Sequence, residues 1–427
     1  MKKVLVLTLA TAALVGCSSD KLGDDEMVVD MLPKTRSIEL TPEQREFVTQ
    51  NTDFSFNLFR TINEMDQEKK SNIISPISVT YVMGMLNDGA TGQTAKEITS
   101  VIGFGEDNIK GVNEFCQTLI TEAPKADPSV TLEIANTVIG NKFKNVQFAS
   151  AYEKDLKSYY AAEVSSLDFS KTKDALKSIN GWCKKKTHGM IPEILSEAEL
   201  KPEALLVLMN AIYFKATWTD KFDKKDTRNE TFTTENGQQQ TLPMMHRKAT
   251  VLYGENDTFS ILYLPYGSGD KWCMKVLLPN EGKTVEDVIA SLNAESWKDT
   301  RQVMWNPIVD IQLPRFTTNF ETDLKESLSK MGAPRMFDRY MAEFPNISKN
   351  FKDIYVSLMK QKAAIEVSEE GTKASAVTVA IGEAMAAIGG DKERPMKVDF
   401  HADRPFVYII QEASSGVIFF MGTYRGK

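Results

Sequence analysis

Hydrophobic residues recur along this chain in three rhythms. Phe54, Leu58 and Ile62 fall on one helical face behind Thr41-Pro42-Glu43-Gln44, where a cap, a first-turn proline and a capping-box glutamine stand in register. Ser75-Pro76 repeats the device and predicts a helix through Val79, Met83 and Leu86, and Asp88 to Thr94 reads as a turn into the next helix. Ala151 to Tyr160, Val285 to Asn293 and Leu324 to Met331 are further predicted helices, the last stopped by Gly332. A period of two predicts strands over Ser129–Ile139, Ile261–Tyr266, Met274–Pro279 and Ile308–Phe316, and a hairpin of Phe406–Ile410 with Val417–Met421. Ala204–Phe214 is a continuous apolar run, which predicts a strand buried on both faces.

Between Val367 and Pro395 the pattern fails. Ala363, Ile365 and Val367 alternate as the end of a half-buried strand, but Gly371 to Gly390 holds no proline and no aromatic, and nearly every side chain is small. So long a connection needs a reason. Alanine favours a helix over Ser375–Ile388, yet Val377, Thr378, Val379 and Ile381 are β-branched and Gly382 interrupts it. The run is too short for a membrane span and contains Glu383. A third reading is a loop that can become a strand. One face of that strand carries Thr372, Ala374, Ala376, Thr378, Ala380, Gly382 and Ala384, all small; the other carries Lys373, Ser375, Val377, Val379, Ile381 and Glu383. The small face fits over a packed core while the charges stay outside.

Glu369-Glu370-Gly371-Thr372-Lys373-Ala374-Ser375-Ala376 resembles the hinge of the serpins, and His401-Ala402-Asp403-Arg404-Pro405-Phe406 resembles their carboxy-terminal signature. Asn210-Ala211-Ile212-Tyr213-Phe214-Lys215-Ala216-Thr217-Trp218 is similar to a third family segment, and the helix starts at Thr41 and Ser75 fall in the same order. The resemblance covers Thr41 to Tyr424. It implies an α+β serpin fold with three β-sheets, about eight or nine helices and an exposed reactive-centre loop over about residues 369–397.

The same resemblance implies a function. A serine protease of elastase-like or chymotrypsin-like preference, with cysteine proteases as a further class, would cut the loop and be trapped as an acyl-enzyme when the loop inserts as a new strand. Family spacing puts the cleaved bond between Met385 and Ala386, the hinge at Glu369, Gly371, Thr372, Ala374, Ala376 and Thr378, and the sheet-opening region at Ser75, Asn210, Trp218 and Gln361. There are departures. Ala386 to Arg404 is longer than the family pattern by roughly half a dozen residues, which keeps a bond nearer Lys392 or Arg394 open. Lys373 replaces an acidic residue, Ala216 stands where glycine is frequent, and Gln361 stands where many members have histidine. The alternative is a non-inhibitory serpin acting as a carrier or chaperone on the cell surface. A surface lipoprotein for nutrient capture is a third class, with no ligand site visible in the sequence.

The amino-terminal stretch adds an address. Met1-Lys2-Lys3 and the apolar run Val4–Val15 read as a signal peptide over residues 1–16, ending Leu14-Val15-Gly16-Cys17 like a bacterial lipobox. The expectation is a lipidated Cys17, a flexible tether over 17–40, a single domain over 41–427, and export to a bacterial membrane, in the outer membrane facing the periplasm or the cell surface. A formal charge of −7 over 427 residues argues against nucleic acid as a partner, and the chain is expected to be a monomer. Three histidines without a nucleophile elbow, and the lack of P-loop, H-E-x-x-H and C-x-x-C motifs, argue against an enzyme and against any cofactor or metal. Beyond Cys17, the odd set Cys116, Cys183 and Cys273 reads as buried thiols, with an intermolecular bridge as the other possibility.

Overall fold

Seventeen strands and nine α-helices make up the described residues of a computed structural model, which are 34–105, 108–372 and 396–426. Seven strands form one sheet, whose middle pair, Trp272–Pro279 and Phe406–Glu412, is buried along its whole length. A second sheet orders Lys397–His401, Ile308–Pro314, Gln239–Thr250 and Arg228–Thr233, with the first two parallel. The third layer comes in two parts. Gly371–Thr372, Leu206–Thr217, Thr131–Asn141 and Glu163–Leu167 form a four-stranded part, and Phe316–Asp323 pairs with Lys360–Val367.

The helix Pro42–Met65 starts at the predicted cap, with Thr41 and Gln44 in a reciprocal capping box and Phe54, Leu58 and Ile62 buried. Residues 34–40, placed in the tether by the sequence, pack against the fold. Ile38 and Leu40 are buried, Arg36 N donates to Ala126 O at 2.8 Å, and Ile38 N donates to Ser414 Oγ at 2.9 Å. The folded unit therefore begins before Thr41. Helix Pro76–Asn87, capped by Ser75, is buried on almost every side and lies beneath the third layer. Cys116, Cys183 and Cys273 are free and buried.

Two expectations change. Leu206–Thr217 is not buried on both faces: Met209, Ala211, Tyr213 and Phe214 are buried, while Leu206 to Leu208, Asn210 and Ile212 remain partly accessible. Among the described residues its lower part has a partner strand on one edge only, so these side chains border open space. The predicted strand Ile308–Phe316 is two strands in different sheets. Its ladder ends at Pro314, Arg315 N donates to Pro243 O at 2.9 Å, and Phe316–Asp323 continues in the third layer.

Asp88 closes the buried helix. Burial raises its carboxyl to about 6, against the hydrogen bond from Asn113 Nδ2 at 2.8 Å, with Asp155 adding to the rise. An unfolded aspartate releases its proton near pH 4, so the fold binds the extra proton between about pH 4 and 6 and loses stability as pH rises through that window. Asp88→Asn should therefore raise the melting temperature at pH 7.5 by a few degrees, and the gain should vanish near pH 3.5, as thermal scans at both pH values will show.

Candidate functional site

The strand Lys360–Val367 ends in the tightest of turns. Ser368 and Gly371 exchange both backbone hydrogen bonds, at 3.0 and 3.1 Å, leaving Glu369 and Glu370 as a two-residue reversal. The chain then runs beside Leu206–Thr217, with Gly371 opposite Thr217 and Thr372 opposite Ala216. Gly371 has φ +125°, and a Cβ there would stand 2.4 Å from Ala216 O and 2.6 Å from Trp218 N. Only glycine fits.

Both turn glutamates are held. Glu369 is buried, accepts from Thr227 Oγ1 at 2.8 Å and lies 3.5 Å from Arg315 Nη1. Glu370 pairs with Lys221 at 2.9 Å and Lys224 at 3.1 Å, and the hydrogen bonds from these lysines hold its carboxyl below the usual range. Trp218 N donates to Glu370 O at 3.0 Å, and Phe222 N to Glu369 O at 3.1 Å. The Trp218 indole donates to Ser368 O at 2.9 Å and stacks on Tyr266, with centroids 4.5 Å apart and planes at 9°. Burial pushes the Tyr266 phenol far above its ordinary range, so it stays protonated and shares a 2.9 Å hydrogen bond with Thr372 Oγ1. Thr372 thus faces inward, buried.

Below Thr372 the sheet has a gap. Among the described residues no ladder joins Leu206–Thr217 to Lys360–Val367. A cavity of 360 Å³ lies between them, lined by Ile212 and Phe214 on one lip, Ala363 and Ile365 on the other, and Val79 and Val82 of the helix beneath. Both lips are fastened to the start of that helix. Ser78 Oγ donates to Asn210 Oδ1, and Asn210 Nδ2 donates to Asn136 Oδ1 at 2.8 Å. Gln361 bonds the Ser75 backbone twice, accepting from its N at 3.0 Å and donating to its O at 2.9 Å.

The residues singled out from the sequence form two groups. Ser75, Asn210 and Gln361 meet at mid-height, and Trp218 meets Glu369, Gly371 and Thr372 at the upper end. Ala374, Ala376, Thr378, Met385, Ala386 and Cys17 lie outside the described residues. The sequence reading missed Tyr266, Ser78, Thr227 and Arg315. Tyr266 closes an ordinary-looking strand pattern, and its contacts with Trp218 and Thr372 are made between sheets, so no local signal marks it.

A short inward-facing strand is thus already seated at the top of a slot between two strand edges. The profile of the family described as "Serpin (serine protease inhibitor)" matches residues 49–425. The chain belongs to the serpin family. Leukocyte elastase inhibitor from Equus caballus is 32% identical over 386 residues, spanning 88% of this chain and 98% of that protein. Among solved structures, tengpin, described as a thermophilic serpin in the native state, superposes with a TM-score of 0.78 at 25% identity, covering 93% of this chain and 98% of tengpin. Human thyroxine-binding globulin complexed with thyroxine also superposes with a TM-score of 0.78, at 26% identity, over 89% of this chain and 98% of that one. The serpin fold here includes the expected three layers and helices.

Gly371→Ala should expel the two-residue hinge strand, at about 2–3 kcal/mol of local stability. Amide exchange should quicken at Trp218 and Phe222, the donors to the turn, and not in the seven-stranded sheet; hydrogen exchange followed by mass spectrometry checks this.

Proposed function

We propose that this serpin is a suicide-substrate inhibitor of serine proteases with elastase-like or chymotrypsin-like preference. One observation carries the reading. The hairpin register at Ser368–Gly371 and the ladder at Thr372–Ala216 are independent, yet each, if an inserted strand continued it, would bring Thr378 to the same height. The first would set Thr378 opposite Gln361 and the second would set it opposite Asn210. An inserted loop would thus be laddered on both sides at once, its small face continuing the inward direction of Thr372.

The chemistry is shared with the protease. Its serine Oγ attacks the Met385 carbonyl, the Met385–Ala386 C–N bond breaks, and the nitrogen leaves with a proton as the new amino terminus of Ala386. The ester that remains links inhibitor and enzyme. Water can still cleave it, restoring the serine and releasing the Met385 carboxylate, so trapping requires insertion to be faster than hydrolysis. About a dozen new main-chain hydrogen bonds at ~1 kcal/mol each supply roughly 10 kcal/mol, comparable with the whole stability of a domain. The uncut fold then persists by its barrier. The protease inhibitor among its relatives supports this role. An address on a bacterial membrane through lipid on Cys17 belongs to the same proposal, and Cys17→Ser should abolish incorporation of labelled fatty acid and release the protein from the membrane fraction.

Incubation with elastase and chymotrypsin should give a complex that survives denaturing electrophoresis, and mass mapping should find the cut after Met385. Thr372→Arg sets a charge against Tyr266 inside the sheet and should convert inhibitor into substrate, with complex yield falling at least roughly tenfold. Met385→Arg should move the preference to trypsin-like enzymes; unchanged preference would shift the bond towards Lys392 or Arg394. Cleavage should raise the melting temperature by roughly 20 °C or more. A carrier of the thyroxine-binding kind, the second reading, is favoured if the cut chain melts no higher than the intact one.

A further inference from the structure

Four turns meet at the lower end of the four-stranded part of the third layer, and one side chain knits three of them. Asn141, the last residue of Thr131–Asn141, is buried. Its Nδ2 donates to Pro202 O at 2.8 Å and Ala204 O at 2.7 Å, while its Oδ1 accepts from Phe143 N at 3.0 Å and Phe169 N at 3.3 Å. The fourth turn joins through Asn350 Nδ2, which donates to Asn145 O at 2.8 Å, and through Lys349 N, which donates to Gln147 O at 2.8 Å.

What these turns display differs from the rest of the surface. Lys142, Lys171, Lys201 and Lys349 are exposed and Lys144 is half-buried, and none of the five forms an ion pair among the described residues. Lysines outnumber the acids Asp168 and Glu203 here, whereas the whole chain has 58 acidic residues against 51 basic ones. Asp168 also spends one carboxylate oxygen on Ser170 N at 3.0 Å and Ser170 Oγ at 2.5 Å. Phe143 stands between Lys142 and Lys144, 57% exposed, with Lys144 Nζ 5.5 Å from its ring centre. The ring is held out in water by its backbone. Phe143 N is tied to Asn141, and Asn145, at φ +57°, completes a tight turn in which Val146 N donates to Asn141 O at 3.1 Å.

Unpaired cations around an apolar ring match an anionic lipid surface: the lysines meet headgroup charge, and the ring enters the boundary between headgroups and acyl chains. An acidic polysaccharide would use the lysines and leave the ring without a partner. Ten steps of about 3.3 Å along Thr131–Asn141 set this end roughly 33 Å below Thr131, which lies opposite Lys215 near the hinge. The described chain begins at the hinge end. Thr35 Oγ1 donates to Asp270 Oδ2 at 3.1 Å, in the turn whose Gly267 N donates to Thr217 O at 2.8 Å. Residues 17–33, fully extended, reach at most about 60 Å, so lipid on Cys17 and the lower end can touch one membrane.

We propose that the turns around Asn141 form a docking face for anionic lipid, which sets the protein upright on a membrane with its hinge end held away from the bilayer. The orientation rests on the membrane address proposed for Cys17. The docking face does not.

Binding is read without the lipid anchor. The chain from Ser18 onward, which keeps every described residue, is sedimented with vesicles of phosphatidylglycerol mixed with phosphatidylcholine, and with vesicles of phosphatidylcholine alone. It should bind the first at least tenfold more tightly, by order of magnitude, and added salt should remove the difference. Each lysine at such a surface is worth roughly fivefold in affinity, so Lys142→Gln, Lys144→Gln and Lys349→Gln together should weaken binding roughly a hundredfold. Phe143→Ser should lose about tenfold and keep the salt dependence. Phe143→Trp should be quenched by brominated acyl chains, with quenching beyond that of the wild type. Lys184→Gln with Lys185→Gln, two exposed lysines at the end of Thr172–Lys186, is the control and should leave binding unchanged. Equal binding to both vesicles would overturn the docking face. A triple lysine variant that melts with the wild type and binds as it does would overturn it too, as would capture on immobilised heparin with no sedimentation on vesicles, which assigns the lysines to an acidic polysaccharide. Vesicle binding without fatty acid incorporated at Cys17 would retain the face and sink the membrane address; incorporated fatty acid without vesicle binding would do the reverse.

Discussion

A strand edge inside a sheet is an unstable thing to leave bare. Its N–H and C=O groups want partners, and any extended segment of suitable shape can supply them. In this serpin two such edges face each other across a cavity, and the fold keeps them apart by fastening each to the buried helix below. Asn210 reaches Ser78 and Gln361 grips the Ser75 backbone. The helix owes its position to a serine cap and a proline that fix where it begins, so the local rule that starts a helix also sets the footing of the gap. On the proposed inhibitory reading, the hydrogen bonds missing between these edges are those of one specific strand, which the chain itself would supply.

The upper end works in the opposite sense. There the sheet is already closed, by a two-residue turn whose glutamates are clamped by Thr227, Arg315, Lys221 and Lys224. Clamping fixes the starting register on both sides, while the aromatic pair Trp218 and Tyr266 gives the first inward residue a polar partner in a dry place. Hydrogen bonds and ion pairs hold the chain at the top, and apolar side chains line the cavity below.

Much of this was legible in the sequence because it rests on local chemistry. Caps at Thr41 and Ser75, alternation at Ala363, Ile365 and Val367, and the run of small residues after Thr372 each announce themselves over a few positions. What was not legible depends on contacts distant in sequence. Phe316–Asp323 reads as polar because its outer face is solvated and its inner face is short of large apolar residues, so its pairing with Lys360–Val367 left no pattern. The accessible side of Leu206–Thr217 reflects an edge without a partner strand among the described residues, which no composition reveals. Ile38 and Leu40 are too few to show a period, yet they bind the segment before Thr41 to the fold. Glu199, in the segment before Leu206–Thr217, and Lys360 form an ion pair that only the folded chain displays.

The glycine at the reversal also constrains how such a protein can change. Since Gly371 cannot be moved and the turn before it has no slack, counting along the loop begins from a fixed zero, like the end-stop of a ruler. If the loop inserts as proposed, side chains near Met385 are free to change with the target enzyme, whereas adding or deleting one residue between Gly371 and that bond would reverse the facing of every side chain beyond the change. On that reading this part of the molecule is open in spelling and closed in length.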